Sequence, residues 1–409
     1  MGVILTKIDK ARELLSKSIN FKIEGTEKLD IQDSLGRVSS KSIKSKFNLP
    51  QTKNSAVDGF AITFKDIRNN EKQKYKVIGM AKAGHPFLSK ILKNQAVEIY
   101  TGAIMPNGLD CVVMHENTER IGDQVLIRKI PKKGLNVRPA GENIKINEII
   151  IKKGEKINSP NIGQLAASGN NEIEVFKKLN VSIFSTGDEV IDPSGKLKKG
   201  QIFDANRPML FSLLNNKNLN LIDNGIVEDK LSALTTKYEN CLQSSDVIIS
   251  SGGASDGIED HTQNALKNIG AKLIFWQLAI KPGKPIAIAK HNKTLIFCLP
   301  GNPVAAYVCT QLLIKPALEK IAGSNFKKPF YVFLPSGFEH KKKIGRTEFL
   351  RCKIMIKDNT SKIFIHGRRG AGVISSLTGA DGLVEIPDDV SSVKENQLLK
   401  FLPFSHQAL

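Results

Sequence analysis

From residue 178 to 326 the chain repeats one theme, a short apolar run followed by a helix-like stretch. The runs read VSIFS, LNLIDNGIV, DVIIS, PIAIA and TLIFCLP. Strands of this composition separated by helices specify a largely parallel sheet covered on both faces, since crossover helices pack on the sheet they connect. That constraint also says where to look for chemistry, because open α/β sheets bind ligands beyond the carboxyl ends of their strands. The first run ends in STGDE and supplies Glu189, and the second ends at Glu228 and Asp229. The third opens into SSGGASDGIED, with Ser251, Gly252, Gly253, Ser255 and Asp260. IKPGKP, with Lys281 and Lys284, precedes the fourth. The fifth ends in LPGNPVAA, where Pro300, Gly301, Asn302 and Pro303 form a turn and Asn302 is placed to cap a helix opened by Pro303.

Each feature has an ordinary structural reading: a tight connection, a helix start, a cap, or solvated lysines. Glycines, cations and acids gathered on five strand ends point further, to a crevice for an anionic ligand. Backbone approach at glycine suits phosphate, and acids beside phosphate require a divalent cation between them.

The flanking regions have a different rhythm. Residues 46–145 read as short strands with turns about every ten positions, a β-rich domain. Residues 1–45 hold an amphipathic helix carrying Ile8, Ala11, Leu14 and Leu15, with Thr6 and Asp9 as its cap, and a second helical stretch ending at DSLGRV. They group with 146–177, a strand, turn and helix, as a mixed N-terminal domain. Residues 327–409 return to β structure. Outside the sheet, NSAVDGF sets Asp58 on a glycine turn, YTGAIMPNG sets Thr101 before Gly102, and VRPAGEN offers Arg138, Glu142 and Asn143. Ordinary β-turn chemistry accounts for all three equally well.

Charge narrows the partners. A net charge of +20 favours anions, but the lysines are dispersed and one tryptophan with five tyrosines makes a poor base-stacking platform. Nucleic acid is therefore not an expected partner. No apolar run approaches the roughly 18 residues of a membrane span, so no membrane partner is expected. Five cysteines without metal spacing point to a reducing, cytoplasmic setting.

Taken together, NSAVDGFA, TGAIMP, VRPAGEN, STGDEV, SGGASDGIED, FWQLAIKPGKP and LPGNPVAAYV resemble, in order and spacing, the molybdopterin molybdenumtransferase family, the molybdenum insertases similar to the E domain of gephyrin. SGGASDG alone marks only the wider molybdopterin-binding domain; NSAVDGF and KPGKP make the likeness specific. The resemblance implies a multidomain α/β plus β protein: a three-layer α/β molybdopterin-binding domain with a mostly parallel sheet, a β-rich domain, a mixed N-terminal domain and a C-terminal β-barrel. It implies insertion of molybdenum from molybdate into molybdopterin-adenylate, with Mg2+ as cofactor and release of AMP. It also implies a homodimer whose active site joins the α/β domain of one subunit to the β-domain of the other. The upstream adenylyltransferase and downstream molybdoenzymes are further partners it suggests.

Carried over by position, Asp58 and Thr101 reach the site from the β-domain, while Glu189, Asp229 and Asp260 surround the nucleotide and its magnesium. Ser251, Gly252, Gly253 and Ser255 cradle the pyrophosphate, and Lys281, Lys284 and Arg351 hold molybdate. Arg138 and the turn from Pro300 through Gly301 and Asn302 to Pro303 complete the substrate-binding set. Two departures stand out. Asn143 replaces a frequent acid, whose role is lost or passes to Glu142. Ala371 replaces a frequent serine, leaving Ser375 or a backbone amide to substitute. Two other readings stay open: a dimeric scaffold with the same fold, and the preceding adenylyltransferase step.

Overall fold

The computed structural model describes residues 5–67, 73–253, 261–357 and 359–404. It divides into two compact units, one of Met1–Glu27, Gly36–Ser40 and Val175–Leu409, the other of Lys28–Leu35 and Lys41–Glu174.

The first unit is built on a six-stranded sheet. Its strands are β1 (Leu179–Thr186), β2 (Leu219–Val227), β3 (Val247–Ser251), β4 (Lys272–Trp276), β5 (Ala287–His291) and β6 (Thr294–Leu299), in spatial order β2-β1-β3-β6-β5-β4. The first three and β6 are parallel. Alternation buries both faces. Val181, Ile183, Ile249 and Phe297 enter one core, while Phe184, Ile248 and Ile296 enter the other with Leu234 and Tyr238. Each fully buried aliphatic or aromatic side chain contributes roughly 1.5–3 kcal/mol.

Strand direction departs from the sequence expectation at one edge. The PIAIA strand, β5, runs antiparallel to β6, and β4, which the sequence reading passed over, runs antiparallel to β5. Only Asn292 and Lys293 separate β5 from β6, too few for a crossover, and Asn292 takes the left-handed conformation (φ 51°) such a hairpin needs. Ala287 pairs with Cys298, so the start of β5 lies beside the carboxyl end of β6. IKPGKP therefore still reaches the functional edge.

The N-terminal helix, Ile8–Ser18, buries Ile8, Ala11 and Leu15 in the first core of this sheet. Thr6 does not cap it. Its N–H donates to the Gln277 carbonyl (3.1 Å), and its carbonyl accepts from Ala279 (2.8 Å). The expected second helix is a strand, Thr26–Asp30, followed by a single 3-10 turn, Ile31–Ser34. Exposure alternates along TEKLD, the period of a strand with one face covered.

After the α/β region, the long strand Thr347–Lys357 pairs with Thr360–Ile365 and Gly382–Ile386. Gly382–Ile386 pairs with Leu398–Pro403, and that strand pairs with Val332–Pro335. A parallel bridge between Ser336 and Ile363 joins the two ends of the ladder. The two faces of Thr347–Lys357 serve different cores, Phe349 packing into the α/β core and Leu350 and Cys352 into the β core.

In the second unit, six strands lie in the order Cys111–Met114, Gly59–Ile62, Gln95–Ile99, Lys74–Ala81, Gln124–Ile127 and Thr118–Ile121. Ile149–Ile151 returns to pair with Ile43–Lys44. No helix among the described residues is long and apolar enough to cross a membrane.

Candidate active site

The functional edge of the α/β sheet is assembled by two turns wired together. Gly252 (φ 100°) follows β3, and a Cβ there would lie 1.9 Å from the Thr186 carbonyl, so only glycine lets β3 leave the sheet this close to β1. The Gly252 N–H is committed to the Leu299 carbonyl (3.2 Å), so this residue contributes clearance more than a donor. Ser251 is buried, and its hydroxyl accepts from Asn206 Nδ2 (2.7 Å) and donates to the Pro300 carbonyl (3.3 Å). Asn206 Nδ2 also reaches the Gly301 carbonyl (2.7 Å). Ser251 is thus a fastener between the two turns. Asn206, which sequence reasoning missed, is the hub of that junction. Pro303 opens the helix Pro303–Cys309 as expected, but the Asn302 side chain makes no capping bond.

The acids stand at the ends of β1 and β2, which are neighbours in the sheet. Asp188 Oδ1 accepts from the Asp229 N–H (3.3 Å). Burial, reinforced by the charges of Asp188 and Glu189 and opposed by His261, pushes the Asp229 carboxyl above its ordinary range. Its Oδ1 is buried, has no hydrogen-bond partner among the described residues, and lies 3.7 Å from where a Cβ on Gly253 would be. A buried carboxylate oxygen of this kind, near two more carboxylates, fits a divalent cation. Among the described residues no three acids converge closely enough to hold one. Ser255 and Asp260 lie outside the described residues.

Behind the acids, Arg207 is a second feature the sequence reading missed. Asp204, itself buried, accepts from Ser185 Oγ (3.0 Å), Arg207 N (3.1 Å) and Arg207 Nε (3.0 Å). The other arms of Arg207 hold Asp192 (2.7 Å) and Asp223. One guanidinium therefore pins the stretch after STGDE to β2 and to the start of the Asn206–Leu214 helix.

The cations line a cavity of about 230 Å³. Lys281 and Lys284 from IKPGKP lie on its wall with Arg351, and Arg346 and Arg369 join them. A Cβ on Gly283 (φ 113°) would lie 2.8 Å from Cys309 Sγ, so the loop can turn here only on glycine. Arg351 is buried, its Nε donating to Ser376 Oγ (2.9 Å) and its Nη2 to the Arg368 carbonyl (3.1 Å). Ala371 lies on the cavity wall, where its methyl offers no hydroxyl to a ligand. Ser375 is not on that wall, and the hydroxyl in use is that of the next residue, Ser376, which orients Arg351.

In the second unit, Asp58 and Thr101 come together. The Thr101 N–H and hydroxyl both donate to Asp58 Oδ1 at 2.7 Å. These two bonds, the backbone one first, hold the Asp58 carboxyl below its ordinary value. Asp58 is therefore a fixed carboxylate at neutral pH. Arg138 Nε donates to Glu142 Oε2 (2.6 Å), so the acid at 142, not Asn143, carries the charge partner in this loop.

The chain is similar to known proteins over nearly its whole length. Residues 6–169 match the model of the MoeA N-terminal region (domain I and II), 182–320 that of the probable molybdopterin binding domain, and 334–404 that of the MoeA C-terminal region (domain IV). The chain is 30% identical over 402 residues to the molybdopterin molybdenumtransferase of Haemophilus influenzae, covering 98% of each protein. It is 32% identical over 372 residues to that of a Nostoc species, covering 89% of this chain and 85% of that one. A molybdopterin biosynthesis moeA protein from Pyrococcus horikosii superposes with a TM-score of 0.81 at 30% identity, covering 98% of this chain and 100% of that one. Near-complete coverage at this identity, with three family regions matched in order, settles the descent: the chain belongs to the molybdopterin molybdenumtransferase family.

Proposed function

We propose that the protein inserts molybdenum from molybdate into adenylated molybdopterin and releases AMP. The observation that carries this reading is the convergence of Lys281, Lys284, Arg346, Arg351 and Arg369 on one small cavity. A compact dianionic oxyanion must be brought beside a substrate already carrying phosphate charge. Each cation offsets that repulsion, about 4 kcal/mol for a unit pair at 4 Å in an intermediate dielectric. Lysines offer rotatable donors suited to a tetrahedral anion, and Arg351 is oriented in advance by Ser376 and the Arg368 carbonyl.

The turns after β3 and β6 bind the nucleotide phosphates, with Gly252 providing the close approach and Asn206 holding the turns in register. The unpaired Asp229 Oδ1 supports a magnesium site, in which Asp229, Glu189 and Asp260 would hold the ion. When bound, magnesium would polarise the phosphoryl group toward attack by water. Asp229 and Glu189 position that group, and the ionised Asp58, locked by Thr101, presents a fixed acceptor to the substrate.

The protein works as a homodimer in the cytoplasm. Five free, buried cysteines suit a reducing compartment. A scaffold need not retain a five-cation cavity, and an adenylyltransferase needs only the α/β region, so neither alternative is favoured. The test is incubation with molybdopterin-adenylate, molybdate and magnesium. AMP release that requires molybdate supports the reading, and a folded protein that releases none refutes it.

A further inference from the structure

One carboxylate stands among the described residues of the cationic cavity wall, and its neighbours give it a purpose. Glu348 lies opposite Lys281 in a parallel strand pair, Ile280 facing Thr347 and Lys281 facing Glu348. Register alone brings their side chains together. Lys281 Nζ donates to Glu348 Oε1 at 2.9 Å, although the lysine side chain is 59% exposed and the glutamate only 6%. On the other carboxylate oxygen, His340 Nε2 meets Oε2 at 2.7 Å from a ring that is itself 2% exposed. Burial opposes ionisation of Glu348, but the bonds from His340 and Lys281 outweigh it and keep the carboxyl below its ordinary value. A carboxylate only accepts, so His340 must carry its proton on Nε2. Its Nδ1 is buried with no hydrogen-bond partner among the described residues.

We propose that Glu348, oriented from behind by His340, is a positioning residue that fixes the Lys281 ammonium at the cavity wall before the oxyanion arrives. An exposed lysine otherwise spends its freedom on many rotamers, and binding must pay to order it. Both oxygens of Glu348 are occupied by donors, so the carboxylate anchors one cation with little repulsion left over for the anion. The inference rests on the reading that this cavity takes molybdate. It adds that Lys281 is preset by a second pair of residues 59 and 67 positions away in the chain.

The test is steady-state AMP release with molybdate titrated against wild type, Glu348→Gln, His340→Phe and His340→Gln, each checked for folding by circular dichroism. Glu348→Gln should lower kcat by roughly ten- to a hundredfold, the range of one lost charge-assisted hydrogen bond. Its KM for molybdate should stay level or rise, because binding must then order Lys281 while little repulsion is relieved. His340→Phe should act in the same direction, and His340→Gln should recover much of the loss because its amide donates to the same oxygen. A folded Glu348→Gln with wild-type kcat overturns the proposal, as does a His340→Gln no better than His340→Phe. Lys281→Ala and Arg351→Ala separate the two layers. If neither raises the molybdate KM, the molybdate reading itself fails; if both do while Glu348→Gln keeps its kcat, only the positioning role fails.

Discussion

Replacing Asp229 by asparagine should stabilise the protein while disabling it. Asp229 keeps a buried Oδ1 with no partner among the described residues, and Asp188 and Glu189 add like charge around it. Asparagine fills the same space without the charge, so it removes the burial penalty of the carboxylate, about 1–3 kcal/mol. Asp229 is only half-buried, so the lower end, about 1 kcal/mol, is the fitting estimate. The pH dependence has a definite sign. Burial raises the native carboxyl above its unfolded value, so between the two values the native state holds more protons. Stability therefore falls as pH rises through that window, and the loss is complete above the native pKa. Asparagine has no such loss. Melting of Asp229→Asn should sit about 2 °C above wild type at pH 7, with the gap closing toward pH 4. Magnesium provides a second arm. Added magnesium should raise the wild-type melting temperature, against a salt control of equal ionic strength, and leave the variant unmoved, because the carboxylate that would hold it is gone. A variant less stable than wild type at pH 7, or one stabilised by magnesium as strongly as wild type, would refute the reasoning.

Gly252→Ala should destabilise by about 3 kcal/mol, since its Cβ meets the Thr186 carbonyl at 1.9 Å and φ is 100°; urea denaturation measures it. Lys281→Ala should raise the molybdate concentration needed for turnover about tenfold while sparing molybdopterin-adenylate binding, and the defect should grow with ionic strength, as titration of each substrate at two salt concentrations will read. Asp58→Ala and Asp229→Ala fall in separate compact units; each should be inactive alone, and mixing them after subunit exchange should restore part of the AMP release if the homodimer shares its sites.

Much of the site was legible in the sequence because its parts are local. Apolar runs mark β1, β2, β3, β5 and β6, and the residues after them follow with no further information. The signal for the direction of β5, HNK between two apolar runs with room only for a hairpin, is present in the sequence although the largely parallel expectation did not use it. What escaped is what long-range pairing creates. Nothing near Lys281 announces Glu348, because parallel pairing of two residues on Thr347 and Glu348 is set by how the C-terminal sheet docks. Asn206 reads as a helix-start residue until its amide is seen spanning Ser251 and Gly301. The N-terminal helix is amphipathic by sequence, but amphipathicity does not say which core receives the apolar face. Thr6 illustrates the competition: a good capping residue whose backbone is taken by Gln277 and Ala279 instead.

The proposed function requires that the cavity of Lys281, Lys284 and Arg351 receive the oxyanion. Molybdenum scatters anomalously, so a crystal of the protein soaked in molybdate locates the metal directly. An anomalous peak should appear within that cavity, with oxygens in reach of Lys281, Lys284 and Arg351, and be lost in a folded Lys281→Ala, Lys284→Ala double variant. A peak at the Gly252–Gly253 turn instead, with the cavity empty of molybdenum, would contradict it.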